Sequence, residues 1–204
     1  MDRNRIILKV FQYWHSRLHG DRLPSRADIL PGELREWLPF LFMADVNRLT
    51  PIGTGINLRL AGTHIGRALG LDLTGCPVGG MAKHWQDFTV GRDLFEAANK
   101  RIAIVATHEL RGTAKQLKGA AGNANTAGKE ATSYVRYHRV VLPLALDGIH
   151  VDRIMGALVA EVSENISSLW QGPYEFHELS RRVIAAPPCG SVKSIAIPER
   201  RVPV

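Results

Sequence analysis

Ile56-Asn57-Leu58-Arg59-Leu60-Ala61 sends its side chains alternately to two sides, with Ile56, Leu58 and Leu60 on one and Asn57, Arg59 and Ala61 on the other. A period of two is the mark of a half-buried β-strand. Residues 47–55, just before it, hold Pro51, Gly53 and Gly55 and read as a turn. Ahead of that turn residues 40–46 alternate again, Phe40, Phe42, Ala44 and Val46 against Leu41, Met43 and Asp45. Two alternating runs joined by a turn predict an antiparallel hairpin.

Working outward, Gly62-Thr63 opens a short helix reaching Leu69. Residues 81–100 predict a longer helix that buries Trp85, Phe88, Leu94, Phe95 and Ala98. Three more strands are predicted over 102–110, 133–144 and 149–162, the last two joined by the turn pair Asp147-Gly148. Between the third and fourth strands, residues 111–132 are rich in Gly, Ala, Asn, Thr and Lys and read as a mobile insertion. At the other end of the chain, Ile6, Ile7, Val10, Phe11, Trp14 and Leu18 recur at helical steps over 4–19, an amphipathic helix that Gly20 closes. An extended connector follows, and Pro31 starts a short helix to Trp37, stopped by Pro39. A short helix over 175–184 and a Pro-punctuated tail end the chain. The segments divide into an N-terminal helix with connector (1–30), a main domain (31–165) and a short helix with tail (166–204). The order predicts an α+β fold: a five-stranded antiparallel sheet with helices on one face, plus the N-terminal helix and C-terminal tail.

Length and composition fit one ordinary globular domain: 204 residues, 45% apolar and 22% charged. No apolar run approaches the roughly 18–20 residues of a membrane-spanning helix. The first apolar stretch, Ile6-Ile7-Leu8, is too short for a secretory signal, so a cytoplasmic location is expected. Cys76 and Cys189 are far apart and form no Cys-x-x-Cys, which argues against a disulfide framework or a cysteine metal site. The net charge of +7 comes from residues 1–26, with six basic and two acidic side chains, and from 111–132, with four and one. Nucleic-acid readers gather such charge beside a recognition helix or stacking aromatics, a pattern not found here.

A series of short blocks occurs in order along the chain. They are Trp14, then Leu23-Pro24-Ser25-Arg26-Ala27-Asp28-Ile29, Leu38-Pro39 and Phe42-Met43-Ala44-Asp45-Val46. Leu58-Arg59-Leu60-Ala61-Gly62-Thr63-His64-Ile65 and Gly70-Leu71-Asp72-Leu73-Thr74-Gly75 follow. Leu142-Pro143-Leu144, Asp147-Gly148 and Val151-Asp152-Arg153-Ile154-Met155-Gly156 complete the set. Together they resemble PAS_5, a PAS-like family of small proteobacterial proteins, over residues 10 to about 160. The resemblance implies the strand–strand–helices–strands order derived above. It also implies a sensory or regulatory module that works through small ligands or protein contacts, without general enzymatic activity.

The sequence carries no complete catalytic pattern among those that follow. Gly122 to Lys129 has the wrong glycine spacing for a phosphate loop, and Glu130 stands where Ser or Thr should follow. No Gly-x-Ser-x-Gly elbow exists. His15 and His19 are four apart on the first helix, but no third ligand follows, so no metal is expected. The predicted ligand pocket lies between sheet and helices, lined by Leu58, Leu60, His84, Trp85, Phe88, Ile104, Tyr137 and His138. The same residues also make a filled core, which is the favoured reading; the alternative is a pocket holding an unidentified organic ligand, and no cofactor is expected. Asp45 and Arg59 are expected to pair across the hairpin beneath the N-terminal helix. Val10, Phe11, Trp14 and Leu18 are expected to dock that helix on its own sheet or on a second copy in a homodimer. The leading functional reading is a sensory or regulatory module that contacts a partner protein in signalling, gated by a small ligand. The rivals are a small-molecule enzyme with His84 or His138 as base and a basic nucleic-acid-binding accessory protein.

Overall fold

The hairpin is present and longer than its alternation alone indicates: β1 (Leu41–Thr50) pairs antiparallel with β2 (Gly53–Ala61). The computed structural model describes residues 3–50, 53–69, 72–78, 89–112, 133–162 and 174–185. The other elements are α1 (Arg3–Ser16), α2 (Thr63–Leu69), α3 (Thr89–Lys100), β3 (Ile102–Gly112), β4 (Ser133–Leu144), β5 (Arg153–Val162) and β6 (Tyr174–Ala185). All strands join one antiparallel sheet in the order β2-β1-β5-β4-β3-β6.

The sheet therefore has six strands where five are expected. The segment read as a C-terminal helix is β6, paired with β3 from Gly112↔Tyr174 to Ile102↔Ala185. Its alternation is interrupted by a bulge: Thr107 faces Ser180 and His108 faces Glu178, leaving Leu179 as the extra residue. That insertion breaks the period of two and leaves a spacing that mimics a helix. Tyr174–Ala185 thus belong to the main sheet.

Residues directly opposite in an antiparallel ladder share a face. Phe42, Ala44, Ile56 and Leu58 therefore lie on one face with Gly156, Leu158, Val141, Arg139, Tyr137, Ile104, Ala106 and His108. α3 packs on this face, against β3, β4 and β5, and the His64 ring of α2 accepts the Ala160 N–H there. The opposite face carries Val140, Leu142, Leu144, Met155 and Ala157, all buried. α1 packs on β4 and β5 and closes that face with Ile6, Ile7, Val10, Phe11 and Trp14. The Trp14 Nε1–H donates to the Pro143 carbonyl at 2.9 Å. Pro143 lies beyond Val141, the last β4 residue paired with β3, so its missing N–H costs no rung there.

Gly156 is required by close approach: a Cβ on it would stand 2.2 Å from the Val140 carbonyl oxygen and 2.4 Å from the Phe42 ring. Gly148 holds φ +78° in the β4–β5 turn, where Asp147 accepts the N–H groups of Ile149 and His150. β5 begins at Arg153, because residues 149–152 belong to that turn.

Other expectations shift. α1 stops at Ser16, and His19 pairs with Arg22 across a tight turn in which Gly20 holds φ +67°. His15 and His19 therefore do not share a helix face, and His19 faces Asp28 at 4.0 Å. Residues 31–37 form successive three-residue-spaced turns instead of a helix, and Pro39 sits inside a 3-10 turn, Leu38–Phe40. A proline in a first turn lacks only an N–H that would go unpaired. Arg111 and Gly112 complete β3; the rest of the predicted insertion lies outside the described residues, as do 81–88 of the predicted long helix and the tail from residue 186.

Candidate functional site

Where α3 crosses the sheet, the interior turns from apolar to charged. Asp93 lies beside Leu94 and one turn before Ala97 on the sheet-facing side of α3, and none of its surface is exposed. Arg139 stands in the middle of β4, between Tyr137 and Val141 on the same face, and is 1% exposed. The Arg139 Nε–H donates to Asp93 Oδ2 at 3.2 Å and its Nη2 donates to the same oxygen. The other oxygen, Oδ1, accepts from Arg181 of β6 at 2.9 Å and has the Arg92 Nε at 3.6 Å. Arg181 also donates to Glu96, which Lys100 holds at 2.8 Å, and Arg92 donates to Glu178 of β6 at 2.6 Å. One carboxylate thus gathers charges from α3, β4 and β6.

The electrostatics follow from this geometry. Burial pulls the Arg139 pKa down, and the Asp93 charge opposes that pull. Burial alone would also lower Arg181, but Asp93 and Glu96 outweigh it and raise its pKa. Lys100 and Arg181 hold the Glu96 carboxyl below its ordinary value. His108, buried on the same face, is held at a pKa of about 3, first by burial and then by the nearby Arg139 charge. It is therefore a neutral imidazole at physiological pH.

A second cluster occupies the opposite face. Glu109, buried, accepts from Arg136 at 2.6 Å and from Arg111. Burial would raise its pKa, but the two guanidiniums bring it below the ordinary value. Glu161 lies 3.7 Å from Arg136 and 4.0 Å from His138, whose Nδ1 meets the Thr107 hydroxyl at 3.2 Å.

Of the predicted pocket residues, Leu58, Ile104 and Tyr137 share the α3 face and are all buried, but Leu58 sits on β2, three strands from Tyr137 on β4 and four from Ile104 on β3. His138 is not among them: it follows Tyr137 on a strand, so it points to the other face. Leu60 is excluded as well. A bulge lets Met43 pair with Leu60 while Ala44 pairs with Leu58, so Arg59 is the extra residue and Leu60 is turned outward, 48% exposed. His84, Trp85 and Phe88 lie outside the described residues. Arg59 donates to Asp45 at 3.2 Å, with Arg153 on the other Asp45 oxygen at 3.1 Å; Arg59 is 66% exposed, so the pair is at the surface and not beneath α1. Val10, Phe11 and Trp14 are buried against the chain's own sheet and Leu18 is partly buried, which leaves no open stripe for a second copy. Asp93, Arg139 and Arg181 are all absent from the predicted set. The readable signal for the cluster is Arg139, a charge on the apolar face of a Val/Tyr-rich strand, which requires a buried carboxylate opposite it.

A six-stranded antiparallel sheet whose helices α2 and α3 fall between its second and third strands defines an α+β domain. The family model PAS_5, a PAS domain, matches residues 3–159, and the chain belongs to that family. No curated protein and no solved structure matches it. The match ends within β5, so β6 lies beyond the matched segment. PAS domains are sensory or regulatory modules that commonly mediate protein interactions and are in general not enzymes. No helix among the described residues is long and apolar enough to cross a membrane.

Proposed function

We propose that the chain is a PAS-type regulatory module acting through a partner protein, with a small organic ligand between sheet and helices as its input. The observation that carries this reading is the Asp93–Arg139 pair with Arg181 on the same carboxylate. A buried ion pair is a poor source of stability, since apolar side chains of similar volume often serve as well. This one joins the interior of the domain to β6 at the sheet edge, so a molecule that perturbs Asp93 also perturbs an exposed element. His108, with a pKa of about 3, is a weak base, which supports binding over proton-transfer chemistry at that position.

The test is native mass spectrometry of protein purified from its own host, followed by hydrogen exchange on the loaded and stripped chain. A bound small molecule whose removal changes protection in both α3 and β6 is expected. An empty chain, or a ligand whose removal leaves α3 and β6 unchanged, overturns the reading.

A further inference from the structure

Arg101, between the last residue of α3 and the first of β3, holds φ +59°, alone among the described residues other than glycine. Its N–H donates to the Ala97 carbonyl at 3.1 Å, closing the helix in the left-handed manner that usually selects glycine. A side chain strains the backbone there. A second cost falls on the same residue, because the Arg101 Nε is buried with no hydrogen-bond partner among the described residues. Strain of this kind persists only where the surroundings hold it in place.

What an arginine adds, and a glycine lacks, is reach. The Arg101 Nη2 donates to the Asp21 carbonyl at 3.1 Å and to the Gly148 carbonyl at 3.3 Å. Asp21 belongs to the connector behind α1, and Gly148 to the β4–β5 turn. These two segments are stitched to each other as well: the Leu23 N–H donates to the Gly148 carbonyl and the Ala145 N–H to the Pro24 carbonyl, each at 3.0 Å. Arg48 of β1 ties the same junction, donating to the Ala98 carbonyl in the last turn of α3 at 2.6 Å and to the Val151 carbonyl at 3.4 Å. α3 is thus fastened through Asp93 and Glu96 to β4 and β6, and at its end to the connector and the turn.

We infer that Arg101 is a positioning residue, a strained latch through which displacement of α3 reaches the connector behind α1 and the β4–β5 turn. This goes beyond the ligand reading, since the latch belongs to the chain itself and is tested with no ligand present.

Amide hydrogen exchange of the full chain, resolved residue by residue, tests it, with Val140 and Val141 of the sheet core reporting global unfolding. Arg101→Gly accepts the left-handed backbone without strain. In it the Leu23 and Ala145 amides are expected to exchange about tenfold faster relative to the core pair, while the amides of α3 exchange no faster. Asp93→Asn, which loosens α3 at its other anchor, is expected to speed the same two amides in the otherwise unaltered chain and to add nothing in Arg101→Gly. Unchanged exchange at Leu23 and Ala145 in Arg101→Gly overturns the inference. So does a loss matched by Val140 and Val141, which makes Arg101 a source of general stability only. An effect of Asp93→Asn that is absent, or equal with and without Arg101, overturns it too, because α3 then does not act on the connector through this residue.

Discussion

Asp93 is the carboxylate that the buried Arg139 guanidinium binds, whereas Asp93 still has Arg181 when Arg139 is removed. Asp93→Ala is expected to destabilise the chain by about 3–5 kcal/mol, read from urea unfolding, and Arg139→Ala by less, since Arg181 still pairs with Asp93. Replacing both, with Asp93→Leu and Arg139→Met, is expected to cost far less than the sum of the single changes, because no buried charge is left unpaired and Arg181 keeps Glu96. Additive losses would show that the two residues do not act as a pair. His108 gives a pH signature at the same scale. Its folded pKa, about 3, lies below its ordinary 6.5, so the unfolded chain takes up the proton first. Stability is full above pH 6.5 and falls as pH drops toward 3. The loss between pH 6.5 and 5 is expected to be about 2 kcal/mol, before the ordinary range of Glu96 and Glu109 is reached. His108→Gln should flatten the profile in that window; an equally steep profile would assign the loss to other groups. Arg139 is missing from the sequence reading, although a charge on the apolar face of a strand is a signal that could have found it. Its partner gives no such signal, because Asp93 has no distinctive spacing and meets Arg139 only once α3 lies across β4.

At the scale of elements, two misreadings share one cause. Alternation correctly marks Ile56 and Leu58 as inward, and the same rule carried two residues further misplaces Leu60. The bulge at Arg59 resets the parity between them. In β6 the bulge at Leu179 does the same, and the scrambled period conceals the strand altogether. β4 has no such interruption against either neighbour, and its predicted and observed bounds coincide at residues 133–144. A bulge is set by how two strands meet, so a single segment read alone does not display it. The parity shift has a direct consequence in mutagenesis. Leu58→Ala opens a cavity on the α3 face of the sheet and is expected to cost about 2–5 kcal/mol. Leu60→Ala, two residues on, is expected to stay within about 0.5 kcal/mol, as exposed changes generally do. Comparable losses at the two positions, measured by chemical unfolding, would place Leu60 back in the core.

Across the whole molecule the open issue in the sequence is the destination of α1. Helical periodicity identifies its apolar stripe but is silent on what the stripe meets, since the chain's own sheet and a second copy offer the same chemistry. The decision is made by the sheet: Val140, Leu142, Leu144, Met155 and Ala157 face away from α3 and need a cover, and α1 is packed on their strands. Burying side chains such as Ile6, Ile7, Val10, Phe11 and Trp14 is worth about 1.5–3 kcal/mol each. Together that rivals the entire stability of an ordinary domain, about 5–15 kcal/mol. A chain shortened to begin at Arg22 is therefore expected to lose its cooperative unfolding transition and to bind a hydrophobic dye at the exposed sheet face, instead of passing from dimer to monomer as a folded body. Thermal unfolding followed by near-ultraviolet circular dichroism, with dye fluorescence alongside, separates the two outcomes. A shortened chain that still melts cooperatively, with dye binding unchanged, would make α1 a removable appendage and leave the burial of that face to be explained by other parts of the chain.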